Sequence, residues 1–593
     1  MPRGSGKSLI NATRLRGVAE AVGLGGSAAL DIVVRDLGGA DIGCRGVGRT
    51  PTRSKNAPSA FEFPGQVTEA IAVWLQKGFA FGPVEEGELE EGVKVNGIMC
   101  RQKPDGGVRI ILNLSAPAGR SVNDGIDPGQ FEAVMSSTRK WLRVLHRAGR
   151  GCLMTKLDWS DAYKHISVRD EDVQLQYFEW LGKYFAETSL VFGAASSPGI
   201  YDRVAKMVLQ VALRLANFPA DLVCQHLDDV CAAGAADGEG IRRFEDRYRA
   251  LAADIGVRLA PLDDPNKAFS CCTRGVVLGI EYNTVAWTWA VPQEKLVRLI
   301  HQLRRALAET EIVMEDLWSL VGRLLHYAPI VPGGRFALRE ILVANSVSVD
   351  RKAMIGLPPS AKRQLQFWEL MLRVCSGWAH IPPFAGSAPA WAVDFYTDAA
   401  GGSMEGGWRG CGGVSGDWWF VCPWPSGINN GSTRADGKKL GRKLSALELV
   451  GPLLCLLGDP GRCRNQAVRI LVDNSGSVAI WKKGYSMRCW VSSRVVEALA
   501  AVAAGLNCRV WIEKVERCSV PGAVVADCLS KGDWRGAKSV AALDGVTLEE
   551  EPGGVSKAVL RWLSGPREED DLAQAVLSEL CLRTSVLGYN CVR

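Results

Sequence analysis

Apolar and polar positions along the chain fall into blocks whose period changes in a definite order. Between Val67 and Gly78 the apolar positions recur at helical spacing, and beyond the acidic stretch Glu85 to Glu91 the run Val108-Arg109-Ile110-Ile111-Leu112 reads as a strand. A Pro-Asp-Gly-Gly turn at 104–107 makes that strand half of a hairpin. Residues 150–235 alternate strand and helix signals. Within them Cys152 to Leu157 is an apolar strand that delivers Asp158 at its end, and Asp221 to Val230 reads as strand, acidic turn, strand around Asp228-Asp229. Residues 291–375 are mainly helical. Near 380–390 the run Pro382-Pro383, Gly386, Pro389 predicts a linker. Past it come strand-like Ala392 to Thr397, two strands near 410–422, a helix from Ser445, a strand Val468 to Val472, an apolar helix near 493–504 and a strand Cys508 to Glu513. Strands first, then strands mixed with helices, predict a second α/β domain of about 150 residues.

The two ends lack this regularity. Residues 1–60, rich in Gly, Arg, Ser and Ala, predict a mobile lead-in, and the acidic clusters Glu549-Glu550-Glu551 and Glu568-Glu569-Asp570-Asp571 mark a tail to which the pattern assigns no particular fold. Gly4-Ser5-Gly6-Lys7-Ser8 fails as a phosphate-binding loop, because the first Gly of that pattern would fall at Met1 and no strand precedes it.

A chain of 593 residues exceeds one hydrophobic core, so three or four compact units are expected. With 47% hydrophobic and 23% charged residues, the composition excludes a disordered chain. No apolar run reaches the roughly 18 residues that span a bilayer, which predicts an intracellular protein, in cytoplasm and/or nucleus, with no membrane partner. The net charge of +6 is concentrated at one end: residues 1–60 hold nine Lys or Arg against four Asp or Glu, a segment suited to phosphate backbones or simply to solvent. Eighteen cysteines lie singly apart from Cys271-Cys272, without zinc-binding spacing, and predict reduced core thiols.

The acids at strand ends carry the chemistry. Nucleotidyl transfer uses two magnesium ions about 4 Å apart, and magnesium takes hard oxygen ligands, which acids on neighbouring strand ends supply rigidly. Lys156-Leu157-Asp158-Trp159-Ser160-Asp161-Ala162-Tyr163 and, seventy residues on, His226-Leu227-Asp228-Asp229 have this form. A second set follows the linker: Asp398 in Phe395-Tyr396-Thr397-Asp398, Glu448 at the start of an apolar helix, Asp473 ending Ile470-Leu471-Val472, and Asp527 in Val524-Val525-Ala526-Asp527-Cys528-Leu529-Ser530. Four acids on two strand ends and two helices can converge on a pair of magnesium ions that orient a water toward a phosphodiester. Asp394 is a rival for the first of them, with the Tyr-Thr-Asp context favouring Asp398.

In order and flanks the first set resembles the reverse transcriptases of retroviruses and retrotransposons, most of all the DIRS-like elements that integrate with a tyrosine recombinase. That family has an aspartate on its first palm strand, an aromatic five residues later, a motif similar to Leu-Pro-Phe-Gly-Leu-Ser-Ser-Ala-Pro, and Tyr-x-Asp-Asp. Here stand Asp158, Tyr163, Leu190-Val191-Phe192-Gly193-Ala194-Ala195-Ser196-Ser197-Pro198, and Asp228-Asp229 after His226. Gly106-Gly107-Val108-Arg109 and Leu112-Asn113-Leu114-Ser115 look like the fingers hairpin, followed by Ser121-Val122-Asn123-Asp124 as in the DIRS-like group. Val277-Leu278-Gly279-Ile280 resembles the primer-grip strand, and Leu320-Val321-Gly322-Arg323-Leu324 falls in the thumb. The order Asp, Glu, Asp, Asp with Ala-Asp-x-Leu-Ser at its end resembles ribonuclease H.

The resemblance implies an α/β and α+β multidomain chain: a basic, flexible segment 1–64, fingers 65–150, palm with part of the fingers 151–290, thumb and connection 291–380, a ribonuclease H-like domain 388–540 and a tail 541–593. It implies that Asp158 and Asp228 hold metal with Asp229 in support, that Tyr163 excludes a ribose 2′-hydroxyl, that Phe192 and Gly193 line the nucleotide pocket, and that Lys103 and Arg109 meet the triphosphate. Ordinary core aromatics are the competing expectation for Tyr163 and Phe192, and a solvated strand residue for Arg109. Asp398, Glu448, Asp473 and Asp527 would hold the nuclease metals. Implied partners are Mg2+, two ions per site with Mn2+ as an alternative, deoxynucleoside triphosphates, an RNA template, a DNA primer, RNA–DNA hybrid and a separately encoded recombinase or integrase.

Two positions depart from the pattern. His226 stands where the family has Tyr, and Glu516-Arg517-Cys518-Ser519-Val520-Pro521-Gly522 lacks the His and Asn that often precede the last acid. These departures also admit a decayed or domesticated copy that binds nucleic acid without catalysis.

Overall fold

The computed structural model describes residues 7–102, 106–382, 392–400, 410–425, 441–484, 489–517, 519–564 and 571–586. The chain divides into two compact units, Met1–Trp287 and Thr288–Arg593. Both mix helices and sheets, so the α/β and α+β multidomain class expected from the pattern is the one observed.

In the first unit, helices α1 (Ala12–Ala21) and α2 (Ala28–Leu37) open the described chain. This corrects the expected mobile lead-in. Asn11 and Ser27 cap the two helices through side-chain oxygens, and Leu15, Ala19, Leu30 and Val33 lie buried at helical spacing in the unit's core. Helix α3 (Pro64–Lys77) begins with Pro at its first turn and stops at Gly78, whose φ of 73° is left-handed. Strands β1 (Ile98–Gln102) and β2 (Val108–Leu112) form the expected antiparallel hairpin, although residues 103–105 of its turn lie outside the described residues.

The sheet that matters most here is four-stranded and antiparallel. Its central strands are β3 (Leu153–Asp158) and β5 (Asp229–Gly234); β4 (Val223–His226) flanks β5, and β6 (Phe269–Cys272) flanks β3. Helices α4 (Ser197–Ala216), which lies between β3 and β4 in the chain, and α5 (Glu239–Ile255) pack on each other, and α5 also packs on β3, β5 and β6. The segment expected as a primer-grip strand is instead the apex of a hairpin: β7 (Arg274–Val277) turns through Leu278 and Gly279, both at positive φ, into β8 (Ile280–Asn283). A two-residue turn with both positions left-handed suits the twist of a hairpin.

After a short strand at Thr288–Ala290, the helices of the second unit include α6 (Gln293–Ala308), α7 (Met314–Tyr327), which holds Leu320 to Leu324, and α8 (Pro359–Cys375). A five-stranded sheet follows. Strands β9 (Val393–Ala399), β10 (Gly410–Ser415) and β11 (Trp418–Pro423) form an antiparallel meander, and β12 (Ala467–Val472) and β13 (Arg509–Lys514) extend it in parallel from β9. The helices between and after them include α9 (Gly441–Gly458), α10 (Trp490–Gly505), α11 (Pro521–Ser530) and α12 (Trp534–Leu543). Described residues of α9 from Ala446 to Leu457 are almost all buried, as an apolar helix without a polar face requires.

The expected linker near 380–390 falls largely on 383–391, outside the described residues, and the division between units lies instead at 287/288. Helix α8 packs on α10, and Arg509 donates to the carbonyl of Ile381 at 2.7 Å, so the segment expected as thumb belongs to the same unit as the second sheet. The tail also has a fold: α13 (Lys557–Ser564) and α14 (Leu572–Val586) bury Val559, Trp562, Val576 and Leu580, and α14 packs on α10. Glu568, Glu569 and Asp570 lie outside the described residues. Most described cysteines are buried and all of these are free, and among the described residues no helix is long and apolar enough to cross a membrane.

Candidate functional site

Two clusters of acids form, one in each unit. In the first, the register of β3 on β5 sets Asp158 directly opposite Asp229, while Leu227 and Asp228 make the two-residue turn between His226 and Asp229. Leu227 takes a φ of 50°, which turns the chain so that the Asp228 carbonyl accepts from the Trp159 N–H at 3.2 Å. Three carboxylates at the tip of two strands repel one another. Burial, then Asp228 and Asp229, push the Asp158 carboxyl up to about 7, and burial and Asp229 raise Asp228. Lys156 is the answering cation: its Nζ lies 3.1 Å from Asp229 Oδ1. It stands two residues before Asp158, hence on the same face of β3, diagonal to Asp229.

Beside this tip Tyr163, Phe192 and Arg109 are in contact, the two rings tilted by 42° to each other. The Tyr163 and Phe192 rings are 4.8 Å apart, and the Arg109 guanidinium sits 5.0 Å from the Phe192 ring centre. Tyr163 is largely buried, and burial with the nearby Asp228 charge raises its hydroxyl to about 12. The same ring meets Tyr201 of α4 at 5.6 Å, so Tyr163 both packs in the core and faces the acids. Gly193 has a structural necessity: at φ 116° a Cβ would stand 1.9 Å from the Leu112 carbonyl oxygen of β2. Asn123 holds this loop through both ends of its amide, donating to the Gly193 carbonyl at 2.9 Å and accepting from the Ala195 N–H at 2.9 Å. The Nδ1 of His226 donates to the Ser136 carbonyl at 2.8 Å, which orients the ring. Lys103 lies outside the described residues.

The second cluster is tighter. One carboxylate oxygen each from Asp398, Glu448 and Asp473 lie within 4.8 Å of one another. Among the described residues no other trio of acids, cysteines or histidines does this, Asp158, Asp228 and Asp229 included. Asp398 and Glu448 are 5% and 2% exposed, and burial followed by their acidic neighbours raises both, Glu448 to about 9. Ser530 donates to Asp398 Oδ2 at 2.5 Å. The guanidinium of Arg517, from the loop between β13 and α11, lies 2.7 Å from Asp473 Oδ2, 3.5 Å from Asp527 Oδ1 and 3.7 Å from Asp398 Oδ1, and so draws the fourth acid into the group. Asp394 stands apart, paired with Arg469 on β12.

The donor sets fit a hard divalent cation. They consist of carboxylate oxygens, and Asp398 Oδ1, Glu448 Oε2 and Asp527 Oδ1 are buried without a hydrogen-bond partner. Lys156, Asn123, Arg517 and Ser530 were not singled out from the sequence for these roles. The signals were present for two of them: Lys156 shares a strand face with Asp158, and Ser530 lies three residues past Asp527 on one helix face. Arg517 and Asn123 act across long loops and leave no periodic signature.

No protein-family model and no curated protein sequence matches the chain. Among solved structures it is similar to three foamy viral protease-reverse transcriptase chains. One, a dRH form with ds DNA, has a TM-score of 0.44 at 12% identity over 80% of this chain and 72% of that one. A second, with dsDNA, has 0.43 at 14% over 80% and 87%, and a third, with an RNA/DNA hybrid, 0.42 at 11% over 89% and 85%.

Proposed function

We propose that the chain is an RNA-directed DNA polymerase with ribonuclease H activity, from a retroelement of the DIRS-like kind. The observation that carries this reading is the presence of two separate acid clusters at strand ends, one in each unit. The first adjoins an aromatic pair with a cation over one ring; the second is closed, with orphaned buried oxygens. Asp158 and Asp228 hold the polymerase metals with Asp229 in support, and Asp398, Glu448, Asp473 and Asp527 the nuclease pair. Magnesium at these acids supplies charge neutralisation at phosphate and activation of the attacking oxygen.

The chain's own residues do the rest. Arg109, stacked over Phe192, offers a cation to the triphosphate of an incoming deoxynucleotide, and the backbone approach at Gly193 fixes the floor of the pocket. Tyr163 excludes a 2′-hydroxyl by collision. Ser530 fixes the orientation of Asp398, and Lys156 holds Asp229. Template RNA, a DNA primer and the hybrid product are the macromolecular partners, and integration falls to a separately encoded recombinase, a reading supported by Ser121 to Asp124 and by the Ala526 to Ser530 ending.

One observation favours a second reading, a nucleic-acid-binding protein without catalysis: the Arg517 guanidinium lies among the acids, 2.7 Å from Asp473 Oδ2, and neutralises part of their charge without a metal. Mg2+-dependent incorporation of deoxynucleotides on a primed RNA, assayed together with cleavage of the RNA strand of a hybrid, separates the two. Binding of primer-template with neither activity would sink the enzyme reading.

A further inference from the structure

The cations of the second cluster are unequal. Lys531 lies four residues past Asp527 and pairs with that carboxylate alone, at 2.7 Å. Arg517 reaches acids on β9, at the end of β12 and on α11, and its Nε also donates to Asp473 Oδ2 at 2.9 Å. Four acids gathered in a partly buried site need a positive charge among them to remain folded, and a planar fork of donors suits several carboxylates at once. Meanwhile Asp398 Oδ1 and Glu448 Oε2, on side chains more than nine-tenths buried, have no hydrogen-bond donor. The cluster is therefore held by Arg517 but not satisfied by it.

The geometry points to Arg517 as a resident cation that occupies the nuclease site in the metal-free protein and that divalent metal must displace. This rests on the nuclease reading above. A divalent ion sits about 2.0–2.6 Å from its oxygens and would take the same Asp398 and Asp473 oxygens that Arg517 faces. Two cations on one pair of oxygens repel, so loading and the guanidinium exclude each other. Departure is open to Arg517: its side chain is half-exposed and comes from a loop, so it can swing out without breaking a helix or strand. Arg517 is thus a positioning residue. It keeps the acids together until metal arrives and raises the metal concentration needed for loading.

The test is calorimetric binding of Mn2+ to the full chain in four forms: parent, Arg517→Gln, Arg517→Lys and Asp473→Asn. The site lost in Asp473→Asn identifies the cluster. Its affinity should tighten about tenfold in Arg517→Gln, the worth of a charge-assisted hydrogen bond, with Arg517→Lys in between because it keeps the charge and loses the fork. In EDTA, Arg517→Gln should melt below the parent, and saturating Mn2+ should close that gap. Equal or weaker affinity in Arg517→Gln, or a gap that persists with Mn2+, overturns the proposal and makes Arg517 an ordinary ion pair. Absence from the parent of any Mn2+ site that depends on Asp473 overturns the nuclease reading itself, and the proposal with it.

Discussion

In the first unit three acids gather at the tip of a β-hairpin and its neighbouring strand, and a lysine two residues upstream of Asp158 takes one of them; in the second unit four acids from two strands and two helices converge, and an arginine on a loop bridges three of them. Both arrangements gather like charges, and both raise the carboxyls they bury. The difference lies in how the cation is attached. Lys156 is fixed by the strand that presents Asp158, so its ion pair with Asp229 is part of the sheet. Arg517 is free to leave. A cluster neutralised from within its own sheet is preorganised whatever is bound, whereas one neutralised by a loop exchanges its cation, and only the second makes metal loading a competition.

The comparison breaks most sharply at the acids themselves. Asp473→Asn should abolish cleavage of the RNA strand of a hybrid by three or more orders of magnitude, as expected for a lost ligand between two cations, while RNA-templated synthesis stays within a few-fold of the parent. Asp228→Asn should do the reverse and leave binding to primer-template nearly intact. Both assays belong on one preparation of each mutant. The division at 287/288 sharpens the stakes, because residues 291–380 share a unit with the nuclease acids. Loss of synthesis in Asp473→Asn would then mean that the second unit's integrity governs the polymerase, and full cleavage would reduce Asp473 to a strand-end cap.

Next in size is Gly193→Ala, at a left-handed position beside the first cluster. The added carbon meets the Leu112 carbonyl at 1.9 Å, and φ 116° is hostile to any side chain, so the loop must move. A loss of about 2 kcal/mol or more in stability of the first unit is expected, with impaired synthesis and normal cleavage. Wild-type stability by denaturant melt would show that the loop adapts and that Gly193 does not anchor Phe192.

Tyr163→Ala should raise ribonucleotide over deoxynucleotide incorporation about tenfold, the scale at which a pocket discriminates one hydroxyl. Tyr163 also packs on Tyr201, so total activity should fall as well. The ratio is the informative quantity, because it does not depend on the folded fraction. An unchanged ratio would leave Tyr163 as a core aromatic and nothing more.

How much of this was legible without coordinates differs between the units in the same way. Strand ends, the Asp228-Asp229 turn and the succession of strands and helices along the second sheet's part of the chain follow from short-range apolar periods, which fix local structure directly. The lead-in was misread because its Gly and Arg content hid two short helices whose caps, Asn11 and Ser27, were the usable signal. The tail's helices hide behind acidic clusters in the same manner, since their apolar faces, Val559 with Trp562 and Val576 with Leu580, make sense only against a partner surface. Lys156 could have been found from strand parity with Asp158. Arg517 could not, since its position over the acids depends on the closure of a loop between β13 and α11, and no local period encodes that.

The smallest effect, and the one that probes the electrostatic difference directly, is the dependence of metal-free stability on pH. An acid whose folded pKa is raised binds more protons folded than unfolded in the window between the two values, so stability falls as pH rises through that window. For Glu448 the window runs from its ordinary 4.5 to about 9, and for Asp158 from 3.8 to about 7. Between pH 7 and pH 9 Asp158 has therefore already lost most of its share, while Glu448 is still losing. In EDTA the melting transition of the second unit should drop by a few degrees over that interval, and Glu448→Gln, which carries no ionisable proton, should flatten the slope. Saturating Mg2+ should flatten it too, because a bound cation stabilises the ionised form that burial penalises. A slope that survives Glu448→Gln would place the titration elsewhere and remove Glu448 from the set of acids that strain the metal-free site.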